Sequence, residues 1–266
     1  MIERKPAVAG IFYPESPEKL QMAVRELVSK SHETKKAIAA ILPHAGYIYS
    51  GKIAGKTISS ISVPERIIIL CPNHTGYGEV VSLFPPGSWI FPGFSVKIDE
   101  EINSFLSNFE IFQMDTGAHY KEHSAEVLIP LLHFINPKIK INVICIRTLR
   151  RESLKVIAEA LKEVYKKYED ILIVASSDMN HYEEDDVSRK KDKAAIEKIK
   201  EINPDGFLDI CYNMNISVCG AAPIYSLLSF LKGIKVKNSE VLAYGNSGEV
   251  NGDLSSVVGY AGIIFF

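Results

Sequence analysis

The chain has 266 residues, enough to bury a sizeable core as one large domain or at most two. It carries 30 Lys and Arg against 32 Asp and Glu, a formal net charge of −2, so it lacks the basic footprint of a nucleic-acid-binding or polybasic membrane-binding protein. The N-terminal stretch has charges and prolines where a secretory leader needs an apolar core, and no apolar run is long enough to span a bilayer. We therefore predict a cytoplasmic protein with no nucleic-acid or membrane partner.

Short apolar runs alternate with helical patterns along nearly the whole chain. The first helix is predicted to begin after Ser16, with Pro17 in its first turn and His32 near its end. Four later runs are rich in Ile, Val or Ala and are continuous, a pattern typical of strands covered on both faces. They are residues 37–42, 66–70, 141–146 and 171–176.

The second half of the chain carries the clearest helical spacing. Apolar residues repeat at helical intervals over 154–164, and the charged segment 188–202 is typical of a solvated amphipathic helix. Another helix is predicted over 221–233, because Pro223 suits its first turn and Gly233 its end. The Pro/Gly-rich stretch 84–93 is predicted to be a surface loop or a hairpin, and 257–266 a closing strand.

Domain organisation follows from what separates these elements. No repeat, low-complexity tract or linker rich in Pro, Gly and Ser divides the chain. We therefore predict a single α/β domain over 1–266, with a central, largely parallel or mixed β-sheet flanked by helices.

Three of the predicted strands end in polar turns that carry histidine. His44 follows 37–42, His74 follows 66–70, and Asp178 and His181 follow 171–176. A single histidine after a strand is most often structural. Three in the same topological position favour function, because ligands of open α/β sheets bind outside the carboxyl ends of the strands.

Two further segments offer candidate site residues. His123 and Glu126 are spaced i, i+3, which predicts that they share one helical face, although His123-Ser124 alternatively suits the start of a helix. Cys219 directly precedes the helix predicted from about 221. The helix dipole there favours a thiolate that ligates metal or acts as a nucleophile. An inert buried cysteine beside a tightly packed glycine is the alternative.

The other three cysteines are predicted to be buried apolar residues. No CxxC pair is present, which argues against a structural zinc ribbon, and a reducing compartment argues against disulfides. They are Cys71, Cys145 and Cys211.

Histidines with a carboxylate or a thiolate form a set of metal ligands. Two histidines and a carboxylate suit non-haem Fe(II), whereas a thiolate shifts the preference towards zinc or copper, so the residue types alone leave the metal open. A metal-free alternative uses Cys219 as nucleophile, His181 as base and Asp178 as the group that orients the base. This alternative is the weaker one, because Asp178 and His181 are only three residues apart and cannot easily line up in series with one nucleophile. Phosphate-binding glycine motifs are absent.

Six segments together resemble one known family. They occur in family order and reach across essentially the whole chain, and the closing strand fits as well. They are RKPAVAGIFYP, PHAGYIYSG, CPNHTGYG, EHSAEVLIPLL, SSDMNHY and SVCGAAPI. The sequence thus resembles the Memo family, whose archaeal and bacterial members are called AmmeMemoRadiSam system protein B.

The resemblance implies a fold similar to that of the class III extradiol (LigB-like) non-haem iron dioxygenases. It also implies the roles of the site residues. The implied metal ligands are His44, His74 and Cys219. The implied catalytic residues of the same pocket are Asp178, His123 and His181, with His181 in the place of the dioxygenases' acid/base histidine. Further implied pocket residues are Tyr49, Asn73 and Glu126.

The function implied by the resemblance is that of a metal-binding protein with a dioxygenase-like pocket, and possible activities include a copper- or iron-dependent redox reaction. Ring cleavage is not implied, because Cys219 stands where the dioxygenases have a carboxylate ligand. Animal members of the family bind phosphotyrosine-containing receptor peptides, so a non-catalytic peptide- or protein-binding module is the first alternative. The metal-free Cys-His hydrolase is the second. The AmmeMemoRadiSam context implies a radical-SAM partner.

Overall fold

The computed structural model describes residues 2–28 and 34–266, so His32 lies outside the described residues. Within these ranges the strands are β1 (Ile2–Arg4), β2 (Ala39–Leu42), β3 (Arg66–Pro72), β4 (Val81–Leu83), β5 (Gly87–Phe91), β6 (Phe94–Ile98), β7 (Gln113–Met114), β8 (Lys140–Ile146), β9 (Ile171–Ser176), β10 (His181–Glu183), β11 (Ser239–Asn246) and β12 (Val257–Phe265). The helices are α1 (Pro17–Leu27), α2 (Tyr47–Ser59), α3 (Glu100–Leu106), α4 (Ile129–Ile135), α5 (Arg151–Lys167), α6 (Asp185–Lys200), α7 (Pro204–Asn213), α8 (Ala221–Gly233) and α9 (Gly248–Asn251).

The strands form one mixed sheet. Its main path runs β1-β5-β6-β8-β3-β9-β2-β12-β10. Off this path, β11 pairs with β12, β4 pairs with β8, and β7 pairs with β4. The four strands predicted from continuous apolar runs, β8, β3, β9 and β2, are neighbours and parallel at its centre. β12 runs antiparallel to β2. The predicted α/β fold with a largely parallel or mixed central sheet is confirmed.

Both faces of the central strands are covered by helices, which explains why those strands read as unbroken apolar runs. Successive side chains of β3 point to opposite faces: Ile68 and Leu70 belong to one apolar layer, and Ile67 and Ile69 to the other. The first layer includes residues of α3, α5, α6, α7 and α8. The second includes residues of α1, α2 and α4.

Local signals place several element boundaries. The Ser16 hydroxyl accepts a hydrogen bond from the Lys19 amide at 3.2 Å, with Pro17 at the first helical position, as predicted for α1. Residues 84–93 contribute β5 of the β5–β6 hairpin and are not a surface loop, because the Trp89 indole is buried in the second apolar layer.

The carboxyl ends of the central parallel strands create the edge on which the candidate site lies. β2, β3 and β9 run in the same direction and end at Leu42, Pro72 and Ser176. The chain then leads within two residues to His44, His74 and Asp178 respectively. Separately, no helix in 2–28 or 34–266 is both long and apolar enough to cross a membrane.

Candidate metal centre

Three imidazole rings converge at this edge of the sheet. The candidate ligand atoms of His44, His74 and His123 all lie within 4.8 Å of one another. The ring centroids are 5.3 Å apart for His44 and His74, 5.4 Å for His44 and His123, and 4.8 Å for His74 and His123. His44 is buried, whereas the side chains of His74 and His123 are 34% and 22% exposed. The cluster is therefore partly open to solvent.

The proton of His44 is placed by two serines. The Ser176 hydroxyl donates to the Ser124 carbonyl at 2.6 Å and lies 2.7 Å from His44 Nδ1. A hydroxyl has one proton, so Ser176 must accept from His44 Nδ1–H. His44 Nε2 is consequently unprotonated and available as a ligand.

A buried carboxylate does the same for His74. Glu122 Oε1 lies 2.9 Å from His74 Nδ1, so that in the neutral ring the proton is on Nδ1 and Nε2 is free to ligate. Burial alone would raise the pKa of Glu122 and lower that of His74. The hydrogen bond and the opposite charges outweigh burial, so the pKa of Glu122 falls to about 2 and that of His74 rises above its ordinary value.

His44 and His123 are held neutral, the form in which imidazole binds a metal. Burial is the largest cause that lowers the pKa of each ring below its ordinary value. Repulsion from His123 and His74 lowers the pKa of His44 further. At His123 the Glu122 charge opposes burial, and repulsion from His74 adds to the lowering of the pKa.

Cys219 lies beside this cluster, at the N-terminal end of α8 as predicted. Its Sγ is 3.4 Å from His44 Nε2 and accepts a hydrogen bond from the Asp178 amide at 3.2 Å. The expected stabilisation of the thiolate by the helix does not prevail. Burial, and then the charge of Asp178, raise the pKa of the thiol above its ordinary value. Cys219 is not a member of the three-histidine group.

The Asp178 carboxyl contacts the backbone that carries His44. Its Oδ1 accepts from the His44 amide at 2.7 Å, and its side chain is nearly inaccessible to solvent. Burial raises the pKa of this carboxyl to about 7, against the opposing effect of the two backbone hydrogen bonds from His44 and Ala45. Asp178 is thus a carboxyl group that exchanges its proton near neutral pH.

His181 is fixed by Ser217 on the neighbouring loop. Its Nδ1 donates to the Ser217 carbonyl at 2.8 Å, and its amide donates to the Ser217 hydroxyl at 2.8 Å. A carbonyl only accepts, so His181 Nε2 is the unprotonated nitrogen. Burial lowers the pKa of His181 and repulsion from His74 lowers it further, so the neutral ring is favoured.

The three predicted pocket residues have different surroundings. Tyr49 lies in the first turn of α2 and is 37% exposed. Asn73 holds its own turn, because its side chain donates to the Tyr77 carbonyl at 2.7 Å and accepts from the Gly76 amide at 2.8 Å. Glu126 is fully buried, and its carboxylate contacts residues of the N-terminal segment instead of the histidine cluster.

The helical face predicted for His123 and Glu126 does not form, because His123 precedes a 3-10 turn, Glu126–Leu128, and is not in a helix. The Ser124 amide donates to the Glu122 carboxylate at 3.0 Å instead of to a helical carbonyl. The Glu126 carboxylate bonds Arg4 and accepts from the Tyr13 hydroxyl at 2.6 Å.

Sequence reasoning missed the residues that orient the histidines. They are Glu122, Ser176 and Ser217. Glu122 alone had a local signal, since a carboxylate next to a candidate ligand histidine is a common partner for imidazole. The serines become recognisable only when the fold brings them to the rings.

Comparison with known proteins bears on the whole chain. A family model described as Memo-like protein matches residues 4–264. The chain belongs to the Memo family. A MEMO1 family protein of Saccharolobus solfataricus is 38% identical, over 97% of this chain and 98% of the relative. One of Sulfurisphaera tokodaii is 37% identical, over 98% and 99%.

Among the solved structures similar to this Memo-family chain, one covers most of its length. It is an uncharacterized protein from Escherichia coli K12, with a TM-score of 0.57 and 11% sequence identity. The match covers 86% of this chain and 100% of that one. At this identity the likeness concerns the fold alone. In this Memo-family chain, the three clustered histidines are a group that could hold a metal ion.

Proposed function

We propose that this Memo-family chain is a metal-dependent redox enzyme whose centre binds iron or copper. The observation that carries the proposal is the convergence of His44, His74 and His123, with ligand atoms within 4.8 Å of one another. Two of these rings have Nδ1 engaged elsewhere and Nε2 free. Such preset imidazoles are what a metal site requires of its ligands.

The donor set suits these metals. His44, His74 and His123 offer neutral or readily deprotonated nitrogen, and Cys219 offers sulfur 3.4 Å from His44 Nε2. Imidazole and thiolate favour iron, copper and zinc over magnesium or calcium, which prefer oxygen ligands. Bound iron or copper would supply one-electron chemistry at this position. Because the thiol pKa is high, Cys219 joins the donor set only if the metal displaces its proton.

Two further side chains are suited to move protons in that reaction. His181 Nε2 carries no proton and accepts one from a substrate group, while the Ser217 carbonyl holds the opposite side of the ring. Asp178, with its pKa raised to about 7 by burial, both holds and releases a proton near neutral pH. We therefore assign His181 as the general acid/base and Asp178 as a proton store behind His44.

A non-catalytic peptide- or protein-binding module is the second candidate. Exposed tyrosines close in sequence to the site residues support it, since tyrosine is enriched in binding surfaces. They are Tyr49, Tyr77, Tyr120 and Tyr182, which are 37%, 62%, 51% and 77% exposed. The metal-free hydrolase has less support, because the imidazole at hydrogen-bonding distance from Cys219 belongs to His44 and not to His181.

Elemental analysis tests the proposal directly. The protein would be purified without an affinity tag or a chelator, as wild type and as the His44→Ala/His74→Ala double variant. We expect about one iron or copper per chain in the wild type and none in the double variant. His133→Ala is the matched control, because His133 is stacked on Phe94 away from the cluster, at 4.1 Å between centroids. Wild-type protein that stays metal-free after incubation with Fe(II) or Cu(II) would refute the metal centre and leave the binding module.

A further inference from the structure

Glu122 lies between two of the three clustered histidines. Its Oε1 is 2.9 Å from His74 Nδ1 and 3.5 Å from His123 Nδ1, and its Oε2 accepts from the His74 amide at 2.6 Å. Only 1% of the residue is exposed. One carboxylate therefore contacts both the ring and the backbone of His74, which follows β3, and faces the ring of its own neighbour His123.

The carboxylate is itself held in place from the other side. Oε1 accepts from the Ser124 amide at 3.0 Å and from the Ser124 hydroxyl at 2.7 Å. The Glu122 carbonyl accepts from Arg4 Nη2 at 2.6 Å, and Arg4 is fully buried against the Trp89 ring at 4.2 Å. Glu122 thus links the two ring-bearing segments to the buried end of β1.

The arrangement has a chemical consequence for His74. A neutral histidine in water carries its proton mainly on Nε2, which blocks that nitrogen as a ligand. A carboxylate at Nδ1 favours the Nδ1–H form and exposes Nε2. The hydrogen bond from the His74 amide to Glu122 Oε2 also holds the backbone that carries the ring. Both the position of the His74 ring and the location of its proton therefore depend on the Glu122 side chain.

We propose that Glu122 is the positioning residue of the metal centre: it presets His74 and His123 and thereby controls how tightly the site holds a divalent cation. This inference rests on the proposed metal centre. Glu122 touches no reacting atom in this role; it acts through the two rings.

A neighbouring carboxylate provides a matched control. Glu126 is equally buried and lies on the same segment, but it bonds Arg4, Tyr13 and the backbone amides of Ala7 and Val8. Neutralising Glu126 removes a buried charge without removing a hydrogen bond to a histidine ring. A purely structural role for Glu122 therefore predicts that the two neutral variants behave alike.

The first measurement is the affinity for Co(II), followed by its visible absorption, in chelator-treated protein. The set comprises the wild type, Glu122→Gln, Glu122→Ala and Glu126→Gln, with circular dichroism as the check on folding. We expect the Glu122 variants to bind Co(II) about 10- to 100-fold more weakly than the wild type, and Glu126→Gln to stay within about 3-fold. If Glu122→Ala does not fold, the near-isosteric Glu122→Gln still decides the question.

The second measurement needs no metal. Nitrogen-15 NMR of the imidazole rings at about pH 9, where they are neutral, reports which nitrogen of His74 carries the proton. We expect Nδ1–H in the wild type and in Glu126→Gln, and a shift towards Nε2–H in Glu122→Ala.

The outcomes separate this inference from the proposed function. If the wild type binds Co(II) and the Glu122 variants bind it equally well, or if the His74 proton does not move, the role of Glu122 is overturned and the metal centre stands. If the wild type binds no Co(II), the metal centre is refuted, and control of cation affinity by Glu122 with it.

Discussion

Replacing Asp178 with asparagine should make the metal-free protein more stable, and increasingly so as the pH rises. Burial raises the pKa of this carboxyl from its ordinary value of 3.8 to about 7 in the folded chain. Between these two values the unfolded chain has lost the proton that the folded chain still binds. The free energy of unfolding therefore falls as the pH rises from about 4 to about 7, and is constant above that window.

The size of the effect follows from the separation of the two pKa values. Each pH unit within the window contributes about 1.4 kcal/mol. From about pH 5 to about pH 8 the wild type should lose about 3 kcal/mol relative to Asp178→Asn, which cannot ionise. Asparagine Oδ1 can still accept from the His44 amide, the 2.7 Å bond that Asp178 makes. A weakened bond from the Ala45 amide, the second donor to Asp178, would be the same at both pH values and does not enter this difference.

Guanidinium unfolding of chelator-treated protein at both pH values measures this difference. Asp192→Asn is an internal comparison, because burial raises the pKa of Asp192 only to about 6. Between about pH 5 and about pH 8, the free energy of unfolding of Asp192→Asn relative to the wild type should rise by about 1.4 kcal/mol. A stability difference between Asp178→Asn and wild type that is the same at both pH values would show that the fold does not hold Asp178 neutral, and would remove its assignment as a proton store.

Three further predictions concern other parts of the molecule. Cys219 should react with iodoacetamide at about pH 7 more slowly than a free thiol, because burial raises its pKa. Tyr182→Gly should stabilise the chain by about 1 kcal/mol, because Tyr182 has a φ of +60° in the left-handed region that favours glycine. Arg4→Met should cost about 3–5 kcal/mol in chemical unfolding, because it leaves the buried Glu126 carboxylate without its partner.

Each of these three has its own control. Rapid, saturable alkylation of Cys219 in metal-free folded protein would contradict the raised pKa and revive the Cys-His hydrolase. Alanine is strained in the left-handed region as tyrosine is, so Tyr182→Ala should not be more stable than the wild type. If Tyr182→Ala and Tyr182→Gly were stabilised equally, the cause would be loss of the tyrosine ring and not relief of backbone strain. Adding Glu126→Leu to Arg4→Met should recover part of the loss; no recovery would mean that the ion pair is not its source.

The central architecture was predictable because its signal is local. Continuous apolar runs located β2, β3, β8 and β9, since a strand covered on both faces must be apolar along its whole length. The bounds of α8 were predicted fully, from Pro223 and Gly233. In contrast, α2 was missed: glycines and serines interrupt its apolar pattern, and Gly55 is required by the close approach of the Leu27 backbone, a tertiary contact.

The sequence by itself determined the α/β class, the family and the histidine-bearing ends of three strands, because hydrophobic period and motif order are properties of the chain alone. Only the tertiary structure decided that His123 joins His44 and His74, and that the Glu122 carboxylate contacts two of these rings. It also decided that Glu126 forms an ion pair with Arg4. In the same way, burial has a larger effect on the pKa of the Cys219 thiol than the helix end has. Distances between remote segments and exclusion from water arise when the chain packs, and these two quantities fix which nitrogen ligates and which carboxyl keeps its proton.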